Sequence, residues 1–183
     1  MPKRNTIPVH KLQEHTDQRY HLERVDREND RIKKSAPIDA HRDDHYIFMV
    51  LERGWTRMMV DFQQFEYRGS AIYFVLPGQV HDFQGVSDDA IGWYLAIEPG
   101  LVPDLFRAVL EDPLLHHRPL SLDEPTIGPL AQCLMLAHTL RRQQESVYSR
   151  QCIFRCWVRS WGWLRMVMRG GRWRRTGIFR DLR

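Results

Sequence analysis

Residues 45–98 read HYIFMVLERGWTRMMVDFQQFEYRGSAIYFVLPGQVHDFQGVSDDAIGWYLAIE. Runs rich in β-branched and aromatic residues (HYIFMVLER, WTRMMVDF, FEY, AIYFVLP, HDFQGV, IGWYLAIE) are separated by Gly54, Gly69, Gly78 and the acidic turn SDD. Short runs at this spacing, punctuated by turn residues, predict an antiparallel sandwich or barrel. IFMVL and IYFVL are apolar at successive positions, so both faces of those strands are expected to be covered. Side chains alternate across a strand. If Asp43, His45, Ile47 and Met49 share the inner face, then Tyr46, Phe48 and Val50 pack outside; the opposite phase is the alternative.

Residues 1–40 are more polar and include the charged run HLERVDRENDRIKK. They read as short edge strands and a loop ending at Pro37, lying across the domain and outside its core. After Pro99, Leu101, Leu105, Val109 and Leu110 predict a short helix over 101–111 that Pro113 ends. A second helix starts near Ser121–Glu124, where Ser-x-x-Glu has capping-box spacing and Asp123 is a rival cap. Its stripe of Ile127, Leu130, Leu134, Ala137 and Leu140 suits packing on the barrel or pairing with a second copy.

The 183 residues can bury one sizeable core. No run approaches the length of a spanning apolar helix, and the N-terminus shows no apolar leader, so the expectation is a soluble cytoplasmic protein without a membrane partner. Cys133, Cys152 and Cys156 form no CxxC pair, which argues against a disulfide framework and a structural zinc site. His116 and His117 read as solvated loop residues. The net charge of +4 conceals an asymmetry: the last 33 residues hold nine arginines and one acid, or +8, leaving −4 for the rest. The same segment holds Trp157, Trp161, Trp163 and Trp173, and such a shift marks a boundary.

The most informative constellation is HRDDHYIFMVLERG, with His41, Asp43, His45, Glu52 and Gly54, followed by SAIYFVLPGQVHDF, with Pro77, Gly78 and His81. Two strand-borne histidines far apart in sequence can converge inside a barrel. The pattern resembles the paired motifs of cupins, and more closely the N-terminal sensor domain of AraC-type transcription regulators, over roughly residues 7–150. The cupin ligand positions hold His41, Asp43, Ile47 and His81, so that Asp43 stands for the second histidine of His-x-His and Ile47 for the usual glutamate.

The resemblance implies an α+β chain: a mainly antiparallel double-stranded β-helix barrel followed by two or more helices. Residues 1–115 would be the sensor barrel with its N-terminal arm and short helix, 116–168 a helical dimerisation and linker region, and 169–183 a basic tail, disordered or read out of frame. A small-molecule effector is expected to meet His41, Asp43, His45, Ile47, Met49 and His81, with Trp93 or Tyr94 across the barrel. Ile127, Leu130, Leu134 and Ala137 are the expected contacts of a homodimer. DNA binding is expected only through a helix-turn-helix domain, which the 33 residues after Arg150 are too short to hold. Arginine and tryptophan in that tail also suit nucleic acid or an anionic membrane surface.

No nucleophile elbow, P-loop or dinucleotide fingerprint is present, so neither an enzyme nor a cofactor is expected. The rivals are a standalone cupin that only binds or dimerises and a metal-dependent cupin enzyme, a dioxygenase or isomerase. In the latter His41, Asp43 and His81 would hold iron or manganese.

Overall fold

The computed structural model describes residues 7–14, 16–26, 38–112 and 119–142. His116, His117, Cys152, Cys156 and the arginine- and tryptophan-rich tail lie outside the described residues. Contacts divide the chain into two compact units, Met1–Ser121 and Leu122–Arg183.

The first unit is built from β1 (Val9–His10), β2 (Tyr20–Val25), β3 (Ile38–Asp43), β4 (Tyr46–Arg53), β5 (Trp55–Val60), β6 (Gln63–Arg68), β7 (Ala71–Val75), β8 (His81–Val86), β9 (Ile91–Ile97), α1 (Asp104–Leu110) and β10 (Leu120–Ser121). The strands form two five-stranded sheets in the orders β1-β3-β8-β5-β6 and β10-β7-β4-β9-β2. Pairing is antiparallel except between β1 and β3. The unit runs through Ser121, where Leu120 and Ser121 pair with Ile72 and Ala71 at the edge of the second sheet, past residue 115, where the resemblance ends the sensor barrel.

Register decides which side chains meet. Ile47 pairs with Ala96 and Val75, and Met49 with Tyr94 and Tyr73. Ile47, Met58, Val60, Tyr67, Tyr73 and Val75 form one buried cluster, with Met49, Phe65 and Tyr94 packed against it. Tyr67 and Tyr73 stack with ring centroids 4.1 Å apart and planes 1° from parallel. Burial pushes the Tyr67 hydroxyl up to about 12. Tyr46, Phe48 and Val50 lie on the other face, paired with Ile97, Leu95 and Trp93. There the Tyr46 hydroxyl donates to Glu111 at the end of α1.

Two glycines permit close approaches of backbone. Gly54 turns β4 into β5 at φ +88°, where a Cβ would lie 2.4 Å from Ser87 Oγ and 2.7 Å from Ala90 Cα. At Gly92 a Cβ would fall 2.3 Å from the Val50 carbonyl oxygen.

β1 and β2 are edge strands, but the N-terminal segment does enter the core, contrary to its polar composition. Leu12 is 2% exposed, and Leu22 and Val25 are equally buried. Leu12 lies in a 3-10 turn, and Leu22 and Val25, three apart on β2, lie on opposite faces of a strand that pairs along its whole length with β9, so both faces of β2 are covered. The helix expected from residue 101 starts at Asp104, after a 3-10 turn over Pro99–Leu101.

In the second unit the described structure is α2 (Glu124–Arg142). Asp123 caps it, accepting the Thr126 N–H at 3.1 Å, so the rival cap wins over the Ser121 capping box. Ile127, Leu130, Leu134 and Ala137 are buried, while Met135 and Leu136 are 46% and 49% exposed.

Candidate ligand-binding site

The residues of HRDDH and PGQVH meet at one end of the barrel. His41 and Asp43 are two apart on β3 and therefore share a face, and His41 pairs directly with His81 on β8. The β7–β8 connection follows from its sequence. Leu76-Pro77-Gly78-Gln79 closes with the Gln79 N–H donating to the Leu76 carbonyl at 3.1 Å, and Gly78 adopts φ +83°. Proline at the second and glycine at the third position are what a type II turn demands. The Gly78 N–H donates to the Asp43 carbonyl at 2.8 Å, tying this turn to the end of β3.

Three imidazoles converge on one carboxylate. His81 Nε2 lies 3.2 Å and His45 Nε2 3.6 Å from Asp43 Oδ2, and His41 Nε2 lies 3.7 Å from Oδ1. All four residues are buried. The opposite ring nitrogens are anchored: His41 Nδ1 donates to the Asp39 carbonyl at 2.9 Å, His81 Nδ1 to the Gln79 carbonyl at 3.1 Å, and His45 Nδ1 to Asp44 Oδ1 at 3.0 Å. Because these acceptors can only accept, each Nδ1 carries a hydrogen, and each Nε2 is turned toward Asp43. His10, on β1, stacks on His41 with centroids 4.5 Å apart.

Burial raises the Asp43 carboxyl, but the His81 hydrogen bond and the charges of His45, His81 and His41 outweigh it, and the group titrates below its ordinary value. Burial pulls His41 below the usual imidazole range, against the pull of its backbone acceptor, and His81 adds to the lowering.

A second layer holds the cluster. Asp61 Oδ1 accepts the Val80 N–H at 3.1 Å, Asp61 Oδ2 accepts Gln79 Nε2 at 2.8 Å, and Gln79 Oε1 accepts the Leu76 N–H at 2.8 Å. The β5–β6 hairpin thereby fixes the carbonyl on which His81 rests. Asp61 and Phe62 form its two-residue tip at φ +48° and +66°, and Phe62 is 72% exposed.

His41, Asp43, His45 and His81 are thus brought together. Ile47 and Met49 face the same interior but belong to its packed part. Trp93 is not brought to the histidines. It is 0% exposed, donates Nε1 to Glu52 Oε1 at 3.0 Å, and carries the Arg24 guanidinium 4.7 Å above its ring. With Met49, Thr56, Phe83 and Gly92 it borders a small apolar cavity with room for about one water. Tyr94 is the aromatic residue that faces inward. Burial, Asp43 and Glu23 hold its hydroxyl above the ordinary range.

His10, His21 and Glu23 also reach this region and were not singled out in the sequence. Alternation in YHLERV puts His21 and Glu23 on one face, but only the pairing with β9 shows which face is inward. A metal-ligating arrangement does occur: ligand atoms of His10, His41 and Asp43 lie within 4.8 Å of one another. It takes His10 in place of the His81 that the motif implies.

A family model described as "AraC-like ligand binding domain" matches residues 35–151. The chain belongs to this family. Among solved structures, apo ToxT from Vibrio cholerae is similar, with 14% identity and a TM-score of 0.51, covering 84% of this chain and 57% of that one. The present AraC-like chain therefore spans little more than half the length of ToxT, and this likeness shows the fold alone. An RmlC-like cupin family protein with a double-stranded β-helix fold, from Methanocaldococcus jannaschii, has 12% identity and a TM-score of 0.33, covering 44% of this chain and 68% of that one. A comparison with curated protein sequences finds no match. The family and the two packed antiparallel sheets agree with the cupin-like barrel expected from the sequence, and they point to a regulator domain. No helix among the described residues is long and apolar enough to cross a membrane.

Proposed function

We propose that this AraC-like domain senses a small-molecule effector and mediates dimerisation in a cytoplasmic transcriptional regulator. The observation that carries the reading is the convergence of His41, His45 and His81 on Asp43 at one end of the barrel. Buried polar groups of this kind cost stability relative to an apolar filling, so a ligand that uses them is the economical reason for their presence. The effector lies against His41, Asp43, His45 and His81, above the packed floor that includes Ile47 and Met49. A metabolite library screened by thermal shift tests this. A hit that stabilises the wild type and is lost in Asp43→Asn is expected, whereas hits that all survive this change would sink the site.

The intact regulator reads DNA through a helix-turn-helix unit, which the described residues do not include. Coupling requires the effector to favour one dimer arrangement over another, since a ligand shifts an equilibrium only by its differential affinity. The dimer forms along α2. Its stripe of Ile127, Leu130, Leu134 and Ala137 is buried within the single chain, and Met135 and Leu136 supply the exposed apolar surface. Leu136→Lys is expected to give monomers by light scattering; an unchanged dimer mass would refute the assignment.

A metal-dependent cupin enzyme is the second reading, favoured by the grouping of His10, His41 and Asp43 and by the anchored Nδ1 atoms, which orient imidazoles as metal ligands are oriented. These residues would hold a divalent transition metal, which acts as a Lewis acid when bound. Ile47 offers no donor at the position of the usual glutamate. Near-stoichiometric metal after chelator-free purification would favour this reading, and trace metal would remove it.

A further inference from the structure

The tip of the β5–β6 hairpin and the β7–β8 turn are joined by a relay of hydrogen bonds that ends on His81. Asp61 and Phe62 turn β5 into β6 with both residues at positive φ, the backbone of a type I′ turn. Aspartate tolerates that backbone, and here it also closes the ladder between β5 and β8. Beyond the pairing of Val60 with His81, the Asp61 N–H donates to the Val80 carbonyl at 2.7 Å, and Asp61 Oδ1 accepts the Val80 N–H at 3.1 Å. Asp61 Oδ2 accepts from Gln79 Nε2 at 2.8 Å, and Gln79 Oε1 accepts the Leu76 N–H at 2.8 Å.

Each link has one direction. A carboxylate and a backbone N–H leave no choice, so the Gln79 carboxamide turns its NH2 to Asp61 and its oxygen to Leu76. With the carboxamide spanning turn and hairpin, the main-chain carbonyl of the same residue is held in place, and this carbonyl accepts the His81 Nδ1–H at 3.1 Å. On the other side of the ring, His81 Nε2 lies 3.2 Å from Asp43 Oδ2, the shortest of the three imidazole contacts with that carboxylate. The turn is tied to β3 as well: the Gly78 N–H donates to the Asp43 carbonyl at 2.8 Å, and Arg42 Nη1 donates to the Gly78 carbonyl. The approach of His81 to Asp43 is thus set from outside the cluster, by where Asp61 holds Gln79 and Val80.

We infer that Asp61 and Gln79 are positioning residues of the histidine site, which act through His81 by fixing its ring against Asp43 in the orientation an effector meets. This role rests on the effector reading above.

The direction of the links allows a test by exchange of donor and acceptor. Asp61→Asn sets a new NH2 against a donor, either Gln79 Nε2 or the Val80 N–H, and Gln79→Glu sets two carboxylates face to face. Each single change breaks one link. Together they restore the relay in reverse: the new amide donates to the new carboxylate, which still accepts from Leu76, while the amide oxygen accepts from Val80.

The exchange of the His81 Nδ1 proton with water, followed by NMR on the full chain, reads the outcome. Each single variant should speed this exchange by about tenfold or more, the scale of losing a hydrogen bond to a charged group, and the double variant should return it to the wild-type rate. The His41 Nδ1 proton, which rests on the Asp39 carbonyl outside the relay, should keep one rate throughout. A merely structural role would move both protons together, so equal acceleration at His41 overturns the inference. A His81 rate unchanged in the single variants overturns it too, as does a double variant as fast as the single ones. Should a single variant fail to fold, Gln79→Met, which removes the carboxamide without adding a charge, is read by the same two protons. None of these measurements uses an effector, so the effector reading is judged separately, by the library screen and its Asp43→Asn control.

Discussion

Around Tyr73 the barrel interior is filled by interlocked rings and aliphatic side chains, whereas around Asp43 the same barrel holds buried histidines and carboxylates. Both regions are built on the same strands: β4 contributes Ile47 and Met49 to one and starts beside His45 of the other. The difference teaches where stability and function reside. Apolar packing stabilises the fold with every buried methylene. A buried carboxylate ringed by imidazoles gains from its partners about what it loses in desolvation, and is weak evidence for stability. Real proteins depart from the most stable local choice mainly at functional sites, which is why the proposed effector site is set at the histidine end of this barrel.

The contrast can be broken or sharpened by measurement. The largest expected effect is in the packed half. Tyr73→Ala removes one of two stacked rings and should cost about 3–5 kcal/mol by urea denaturation, the range for aromatic truncations in cores. A loss below about 1 kcal/mol, the scale of a surface change, would show that this half is not the structural one.

Asp43→Asn should cost less, about 1–3 kcal/mol, since it removes a charged hydrogen-bond acceptor without opening a cavity. It should nevertheless abolish the effector response, a dissociation of stability from binding that the packed half will not show.

Acidification should act on the polar half alone. His41 in the folded chain titrates below 6.5, so the unfolded chain takes up the proton first and stability falls as the pH drops below that value. Asp43 is also lowered, from 3.8; its contribution is present above that value and is lost as the pH falls through the folded-state pKa. Urea midpoints should therefore decline from neutrality downward. His41→Gln should flatten the first part of that decline, and an unaltered profile would show that His41 is not its source.

The smallest effect lies at the hairpin tip bracing His81. Phe62→Gly relieves a left-handed backbone and loses little burial, so it should raise stability by at most about 1 kcal/mol, read from the same urea midpoints.

The strands between residues 46 and 97 were legible because their apolar runs are bounded by glycines and by a Pro-Gly turn, signals that are local. The meeting of His41, Asp43 and His81 was legible through the motif, and that Ile47 and Met49 share a face through period-two alternation, while strand register decided that this face is the inner one. Trp93 and Tyr94 could not be separated in this way. Adjacent residues point to opposite faces, and the pairing of Val50 with Trp93 sends the tryptophan away from the histidines. His10, His21 and Glu23 sit in polar stretches whose composition suggests surface, and strand pairing to partners distant in sequence brings them inward. The rival helix caps at Ser121 and Asp123 likewise differ only in which side chain reaches the Thr126 N–H.

By itself the sequence determined that this chain forms an antiparallel barrel with histidines and an aspartate near one end, because turn chemistry and side-chain alternation act over a few residues. Only the tertiary structure decided which of those groups converge, which ring nitrogens are anchored, and that β2 turns His21 and Glu23 toward the interior. Those outcomes depend on register between strands far apart in the chain, and register is set by how the whole barrel closes.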